Sequence, residues 1–148
     1  MLSRRVLVLP ALVVILAACS GNGSGSSPAG ASEPAAAATR IEVELSDSMQ
    51  ITPNPMEVPA GVPVTFVVHN SGSIEHEFVI GDEATQAEHE AEMAEGGMGH
   101  DEENAILVDA GATKELTFTF DEPGETLAGC HVPGHYPAGM KATITVEG

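Results

Sequence analysis

Apolar and polar residues alternate over several short stretches of the chain. Ile41, Val43 and Leu45 are each followed by a polar residue, and this period of two is typical of a strand with one buried face. Further strands rich in Val, Ile, Thr and Phe are predicted at 62–68, 78–80, 105–108, 116–120 and 142–146. Turn residues, rather than helical crossovers, separate most of them. The pattern therefore favours an all-β fold, an antiparallel Greek-key β-sandwich.

Residues 81–104 break this pattern. They include nine acidic residues and no Lys or Arg. Closely spaced alanines predict one or two helical turns within 85–95, which Gly96 and Gly97 would end. We expect an exposed, mobile and partly helical insert in the β-sandwich.

The N-terminal residues 1–18 have the parts of an export signal. Arg4 and Arg5 precede an apolar run that is too short to span a bilayer. The sequence Leu-Ala-Ala-Cys, which ends at Cys19, resembles the bacterial lipobox and predicts a lipoprotein signal peptide with acylation of Cys19. An ordinary signal that is cleaved elsewhere is the alternative, and the paired arginines leave twin-arginine export open beside the Sec route.

Residues 19–39 would then be the lipidated cysteine and a flexible linker. Gly, Ser, Ala and Pro dominate this stretch, and such a composition cannot bury enough apolar surface to fold. The folded domain is predicted at 40–148. We expect it outside the cytoplasm, anchored by lipid to a bacterial membrane in the periplasm or at the cell surface.

Acidic residues dominate the charge of the chain. Removal of residues 1–18 leaves three basic residues against 22 acidic ones, a net charge of −19 with His neutral. Like-charge repulsion excludes nucleic acid as a partner. It also keeps the domain off anionic lipid headgroups, so the lipid anchor is the expected contact with the membrane. A monomer that meets partners with basic surfaces is expected.

The segment 130–140 carries three different metal-binding side chains at intervals of five residues: Cys130, His135 and Met140. A thiolate, an imidazole and a thioether together select copper, because the thioether is a soft ligand that suits neither zinc nor hard cations. Prolines and glycines between them tighten the loop, so that the side chains can converge. With Cys19 acylated, Cys130 would have no cysteine partner for a disulfide.

A trigonal site with two histidines needs one more imidazole, and His76 is the candidate. In the predicted strand His76 has the same parity as Phe78 and Ile80. It should therefore point toward the core, as those apolar residues do.

Two motifs resemble those of the cupredoxins, the type 1 blue copper proteins of the plastocyanin/azurin kind. They are Asn-x-Gly-x-x-x-His, which ends at His76, and Cys-x₄-His-x₄-Met at 130–140. The run Cys-x-x-Pro-Gly-His is similar to those of azurin, rusticyanin and auracyanin, and the His-to-Met spacing is closer to the latter two. The resemblance covers 40–148.

The resemblance implies a cupredoxin-like fold and a ligand set. His76, Cys130 and His135 would be equatorial copper ligands, and Met140 the long axial one. The ring of His135 would lie near the surface, where an electron can leave the site.

The resemblance also bears on two neighbours of the ligands. Asn70 is similar to the residue that ties the two ligand loops together by hydrogen bonds. Glu77 departs from the pattern, because many members carry Asn or Ser after the first histidine. A carboxylate there bears on the reduction potential and colour of the site.

Two alternatives for the loop stay open. One is a reduced structural cysteine with incidental His and Met residues. The other is a zinc site of Cys130, His131 and His135, in which Met140 has no role. In an extended backbone His131 points away from the side of Cys130, and we expect it to be exposed to solvent.

The insert offers a possible second copper site. His89, Met93, Met98 and His100 lie within twelve residues among carboxylates, and His89 and Met93 would share a helix face. Soft donors in an acidic loop predict an exchangeable copper ion. A solvated loop without metal is the alternative.

Two functions follow from these features. The first is a one-electron carrier, in which one copper ion cycles between Cu(II) and Cu(I) and the acidic surface steers the domain to a basic redox partner. The second is copper trafficking or buffering outside the cytoplasm, in which the cupredoxin site or the His/Met-rich loop holds copper for a delivery partner. An enzyme is not expected, because the sequence has no His-x-His pair and no second copper domain.

Overall fold

The computed structural model describes residues 39–97 and 99–148. The predicted signal, Cys19, the linker as far as residue 38, and Met98 of the insert lie outside the described residues. No helix within the described ranges is long and apolar enough to cross a membrane.

Two β-sheets form the scaffold of the described part. One sheet has the strand order β2-β1-β4-β7 and the other the order β3-β9-β8-β5-β6. The predicted all-β sandwich is confirmed. In chain order the elements are β1 Thr39–Ser46, β2 Gln50–Thr52, β3 Met56–Pro59, β4 Pro63–Asn70, β5 His76–Gly81, α1 Glu83–Ala94, β6 Ala105–Val108, β7 Thr113–Thr119, β8 Gly124–Gly129 and β9 Lys141–Glu147.

Two strand pairs are parallel, although the sequence pattern favours an antiparallel sandwich. β1 runs parallel to β4, and β3 runs parallel to β9. The short strands β2 and β3 explain this outcome: β2 reverses the chain beside β1, and β3 then crosses to the edge of the other sheet. The chain therefore returns along β4 in the same direction as β1.

The alternating pattern of the sequence fills the space between the sheets. Phe66 lies 5.4 Å from Phe78 and 6.3 Å from Phe120, ring centre to ring centre. All three rings are buried. Burial of three aromatic rings at one point joins the two sheets, because each ring removes a large apolar area from water.

Strand β8 is not predicted from the sequence. Its six residues, Gly-Glu-Thr-Leu-Ala-Gly, contain few of the β-branched and aromatic residues that mark strands. It is nevertheless central in its sheet, where Ala128 pairs with Ile80 on one side and Ala142 on the other. This strand positions Cys130, which follows it directly.

The insert forms a longer and better packed helix than expected. Asp82 caps α1 by accepting a hydrogen bond from the backbone N–H of Thr85 at 2.9 Å. The helix packs on β5 and β8 and buries Gln86 and His89. One helix face thus covers the outer side of the sheet, while most residues of α1 are exposed as expected. The expected mobility of the insert stays a prediction.

Candidate metal centre

Three metal-binding side chains converge at one end of the sandwich. His76 begins β5, Cys130 follows β8, and His135 lies in the loop between β8 and β9. Their donor atoms all lie within 4.8 Å of one another, and within the described ranges this is the one such group of three or more His, Cys, Asp or Glu residues. Residues that are distant in sequence thus form one His/Cys/His site.

The distances show how close the donors are. His76 Nδ1 lies 3.2 Å from His135 Nδ1. Cys130 Sγ lies 3.4 Å from His135 Nδ1 and 3.8 Å from His76 Nδ1. Two imidazole nitrogens and a sulfur that face one point fit a metal ion, and this combination of donors suits copper.

Burial sets the acid–base properties of the donors. His76 and Cys130 have no exposed surface, whereas His135 keeps 7%. Burial raises the pKa of Cys130 to about 11, although a hydrogen bond from the Glu77 N–H at 3.3 Å acts in the opposite direction. Burial also lowers the pKa of His135. His135 is thus suited to bind as a neutral ring, while the Cys130 thiol must lose its proton when metal binds.

The ligand loop is closed by its own backbone. Cys130 N–H donates to Met140 O at 3.1 Å, and Met140 N–H donates to His135 O at 3.1 Å. Gly134 and Gly139 have φ values of +89° and +101°, a conformation that favours glycine. They precede His135 and Met140 and allow the chain to turn back sharply before each.

Met140 lies at the foot of this loop, directly before β9. Its side chain is fully buried and belongs to the hydrophobic core. The structure therefore places Met140 inside the same end of the sandwich as the His/Cys/His site.

The first ligand loop, 70–76, is held by hydrogen bonds to β6 and to the turn after β1. Asn70 Nδ2 donates to Ile74 O at 2.7 Å and to Val108 O at 2.9 Å, and Asn70 Oδ1 accepts from Gly72 N–H at 2.8 Å. These bonds fix the loop internally and against β6. They differ from the expected tie between the two ligand loops.

Asp47 is a neighbour of the site that the sequence does not single out. It lies in the turn between β1 and β2, and both of its carboxylate oxygens accept from the Ser73 N–H, at 3.0 and 2.9 Å. Asp47 Oδ1 lies 3.4 Å from His76 Nε2. Hydrogen bonds from Ser73 lower the pKa of Asp47, and His76 adds to this effect. The carboxylate is therefore charged at neutral pH.

His131 is buried rather than exposed, so the expectation from the sequence is wrong. Gln86 Nε2 donates to the carbonyl oxygens of Val79 and Gly81, which leaves Gln86 Oε1 to accept from His131 Nε2 at 2.7 Å. His131 Nδ1 lies 2.7 Å from Glu90 Oε2. Burial lowers the pKa of His131, and the hydrogen bond with Glu90 opposes this lowering.

These contacts leave the zinc alternative without support from the geometry. His131 points toward α1, as the extended backbone predicts, and the donor group contains His76 in its place. The ring of Tyr136 stacks on His131 at 4.5 Å between centres. Sequence alone could not foresee this burial, because the helix that covers His131 is distant in the chain.

Glu77 is also buried under α1. His89 Nε2 lies 3.4 Å from Glu77 Oε1, and Glu77 Oε2 is buried without a hydrogen-bond partner. The His89 ring lies 5.0 Å from the ring of His131. A polar layer of Glu77, Gln86, His89 and His131 thus lies directly behind the strands that carry His76 and Cys130.

The four residues of the possible second copper site do not form a described cluster. His89 points inward to Glu77, whereas His100 is exposed and contacts Glu102. Met93 is half-buried on α1, and Met98 lies outside the described residues. Metal binding by this set stays a prediction.

Comparison with known proteins identifies the family. The model of the copper-binding proteins of the plastocyanin/azurin family matches residues 37–147, which include the whole His/Cys/His site. This chain belongs to that family. It is a cupredoxin.

The relatives of this cupredoxin include copper-resistance proteins and an auracyanin. A copper-resistant cuproprotein CopI from Pseudomonas aeruginosa is 37% identical over 137 residues, which cover 72% of this chain and 75% of the relative. A protein of the same name from Rubrivivax gelatinosus is 39% identical over 108 residues, 72% of this chain and 66% of the relative. Auracyanin-B from Chloroflexus aurantiacus is 31% identical over 123 residues, 74% of this chain and 52% of the relative.

Solved structures support the same fold. Dithionite-reduced auracyanin from Roseiflexus castenholzii superposes with a TM-score of 0.67 at 27% identity, over 75% of this chain and 98% of that protein. An azurin from Methylomonas, at 19% identity, has a TM-score of 0.62 over 76% of this chain and all of that protein. The second likeness concerns the fold alone.

Proposed function

We propose that this cupredoxin holds one copper ion with His76, Cys130, His135 and Met140 and acts as a one-electron carrier. The convergence of three buried donors within 4.8 Å carries the proposal. A copper ion bound there would supply a couple between Cu(II) and Cu(I). Met140, buried at the foot of the loop, is the fourth donor in this assignment.

The chain contributes rigidity and a route to the surface. His76 and Cys130 extend from paired strands, β5 and β8, and the loop of His135 is closed by backbone hydrogen bonds. A rigid donor set changes little between two oxidation states, which suits electron transfer. His135, with 7% of its surface exposed, is the ligand through which an electron would enter or leave.

Copper loading of the purified domain tests the ligand set. We expect an intense thiolate-to-Cu(II) absorption band that is abolished in Cys130→Ser. His69→Asn is the matched control, because His69 is exposed on β4 and contacts Thr113 away from the site. Loss of the band in the control, or its persistence in Cys130→Ser, would contradict the assignment.

Copper trafficking or buffering is the second candidate function. It is favoured by the relatives that are named copper-resistant cuproproteins, although the chain spans only 63–75% of their lengths. A carrier should retain its copper through repeated reduction and oxidation. A delivery protein should instead lose its copper to a competing Cu(I) chelator as soon as the bound Cu(II) has been reduced once.

The number of bound ions tests the second site in the insert. A second ion per chain that is lost on replacement of His89, Met93, Met98 and His100 would favour copper handling. One ion per chain, unchanged by these replacements, would favour the carrier.

The proposal includes a place outside the cytoplasm and a lipid anchor at Cys19, which the apolar run and the Leu-Ala-Ala-Cys sequence support. Mass spectrometry of the mature protein should show an acylated N-terminal Cys19. In Cys19→Ser the protein should leave the membrane fraction. A wild-type protein without lipid would contradict the anchor without affecting the copper site.

A further inference from the structure

A carboxylate from the opposite sheet lies behind the first ligand histidine. His76 Nδ1 faces Cys130 and His135, so this nitrogen must be unprotonated to bind a metal. A neutral imidazole then carries its proton on Nε2. That atom is buried and has no hydrogen bond of good geometry, but Asp47 Oδ1 lies 3.4 Å away.

Asp47 is held in place independently of His76. Ser73 donates to it twice, from its N–H to both oxygens and from its Oγ to Asp47 Oδ2 at 2.6 Å. A side chain at Gly72 would overlap Asp47 Oδ1, because a Cβ there would collide with that atom and press on Asn70 Oδ1. The ligand loop is thus shaped around the carboxylate.

We infer that Asp47 is a positioning residue that fixes the tautomer of His76 and strengthens its Nδ1 as a copper donor. Carboxylate–histidine–metal arrangements orient the ring and increase the basicity of the nitrogen that binds the metal. A stronger donor stabilises Cu(II) more than Cu(I), because the more highly charged ion gains more from donated charge. Asp47 therefore lowers the reduction potential of the site. This inference rests on the proposed copper ligand set.

The variants Asp47→Asn and Asp47→Ala test this role in the copper-loaded protein. Loss of such a partner commonly weakens metal binding by 10- to 100-fold, roughly. We expect about a tenfold loss of Cu(II) affinity relative to Cu(I), which raises the potential by about 59 mV for one electron. In the reduced protein, ¹⁵N NMR should show the His76 Nε2–H exchanging faster with solvent in Asp47→Ala than in wild type.

Glu75→Gln is the matched control. It removes one negative charge from the same loop, and Glu75 is exposed and directly precedes His76. Potentials of both Asp47 variants equal to that of Glu75→Gln would overturn the inference, as would a shift in thermal stability alone. A wild-type protein without the thiolate band would overturn the ligand set as well. A wild-type band with unchanged variant potentials would overturn the role of Asp47 alone.

Discussion

In the proposed ligand set, Met140 serves both the packing of the core and the binding of copper. It is fully buried within the hydrophobic core and directly precedes β9. An apolar side chain of similar volume could fill the same space, whereas only a donor could bind copper. The two roles can therefore be separated by substitution.

Met140→Leu should preserve the fold and change the site. Volume-conserving core swaps usually cost less than about 1.5 kcal/mol in unfolding free energy. Leu donates nothing and leaves an apolar neighbour, which disfavours the more highly charged Cu(II), so the reduction potential should rise. Cyclic voltammetry and urea unfolding measure both quantities. An unchanged potential would exclude Met140 as a ligand.

At the scale of elements, α1 is more than a covering of the sheet. Gln86 Nε2 donates hydrogen bonds to the carbonyl oxygens of Val79 and Gly81. Gln86 Oε1 accepts a hydrogen bond from the ring of His131. Val79 lies on β5 and His131 follows Cys130, so one helical side chain bridges the two segments that carry ligands. The helix thereby stabilises the scaffold of the metal centre from behind.

Gln86→Ala should destabilise the protein by about 1–3 kcal/mol, because it leaves buried polar groups without partners. Chemical denaturation measures the loss of unfolding free energy. Gln50→Ala is the control: Gln50 is exposed on β2, and its replacement should change stability by about 0.5 kcal/mol or less. Equal effects of the two variants would show that the buried bridge contributes little.

At the scale of the whole molecule, the acidic charge has little internal compensation among the described residues. Arg40 contacts Glu42 and Glu115, and Lys114 contacts Asp101. Lys141 lies 5.1 Å from the centre of the Tyr136 ring. The remaining carboxylates give a strong negative field, which supports the proposal of a basic partner.

Electron transfer to a basic cytochrome should therefore depend on salt. Between about 0.01 and 0.15 M ionic strength the Debye length falls from about 30 to about 8 Å. The second-order rate constant, measured by stopped flow, should fall by about tenfold or more. An acidic redox protein serves as control, and its rate should rise with salt. A rate to the basic cytochrome that is independent of salt would contradict electrostatic steering.

The sequence predicts the fold and the histidine and cysteine donors well for a local reason. Alternation in β1 and the shared parity of His76, Phe78 and Ile80 both follow from the geometry of a strand, in which side chains alternate between faces. The residues 130–140 bring three donor types together within one loop. Neither feature depends on knowledge of distant neighbours.

Strand β8 and the parallel pair of β1 and β4 depend on the rest of the fold. The weak strand pattern of β8 is overridden by hydrogen bonding to β5 and β9 on its two sides. Burial of His131 likewise depends on Gln86 and Glu90, which no spacing near residue 131 can reveal.

Sequence by itself determined the kind of domain and the chemistry of its donors, because period, spacing and ligand softness are properties of short segments. Only the tertiary structure decided that His76 meets Cys130 and His135, and that Asp47 comes to lie behind His76. The physical reason is that these contacts join different strands and sheets. The pairing of β5 with β8 sets the first contact and the packing of the two sheets sets the second, and no local pattern encodes either.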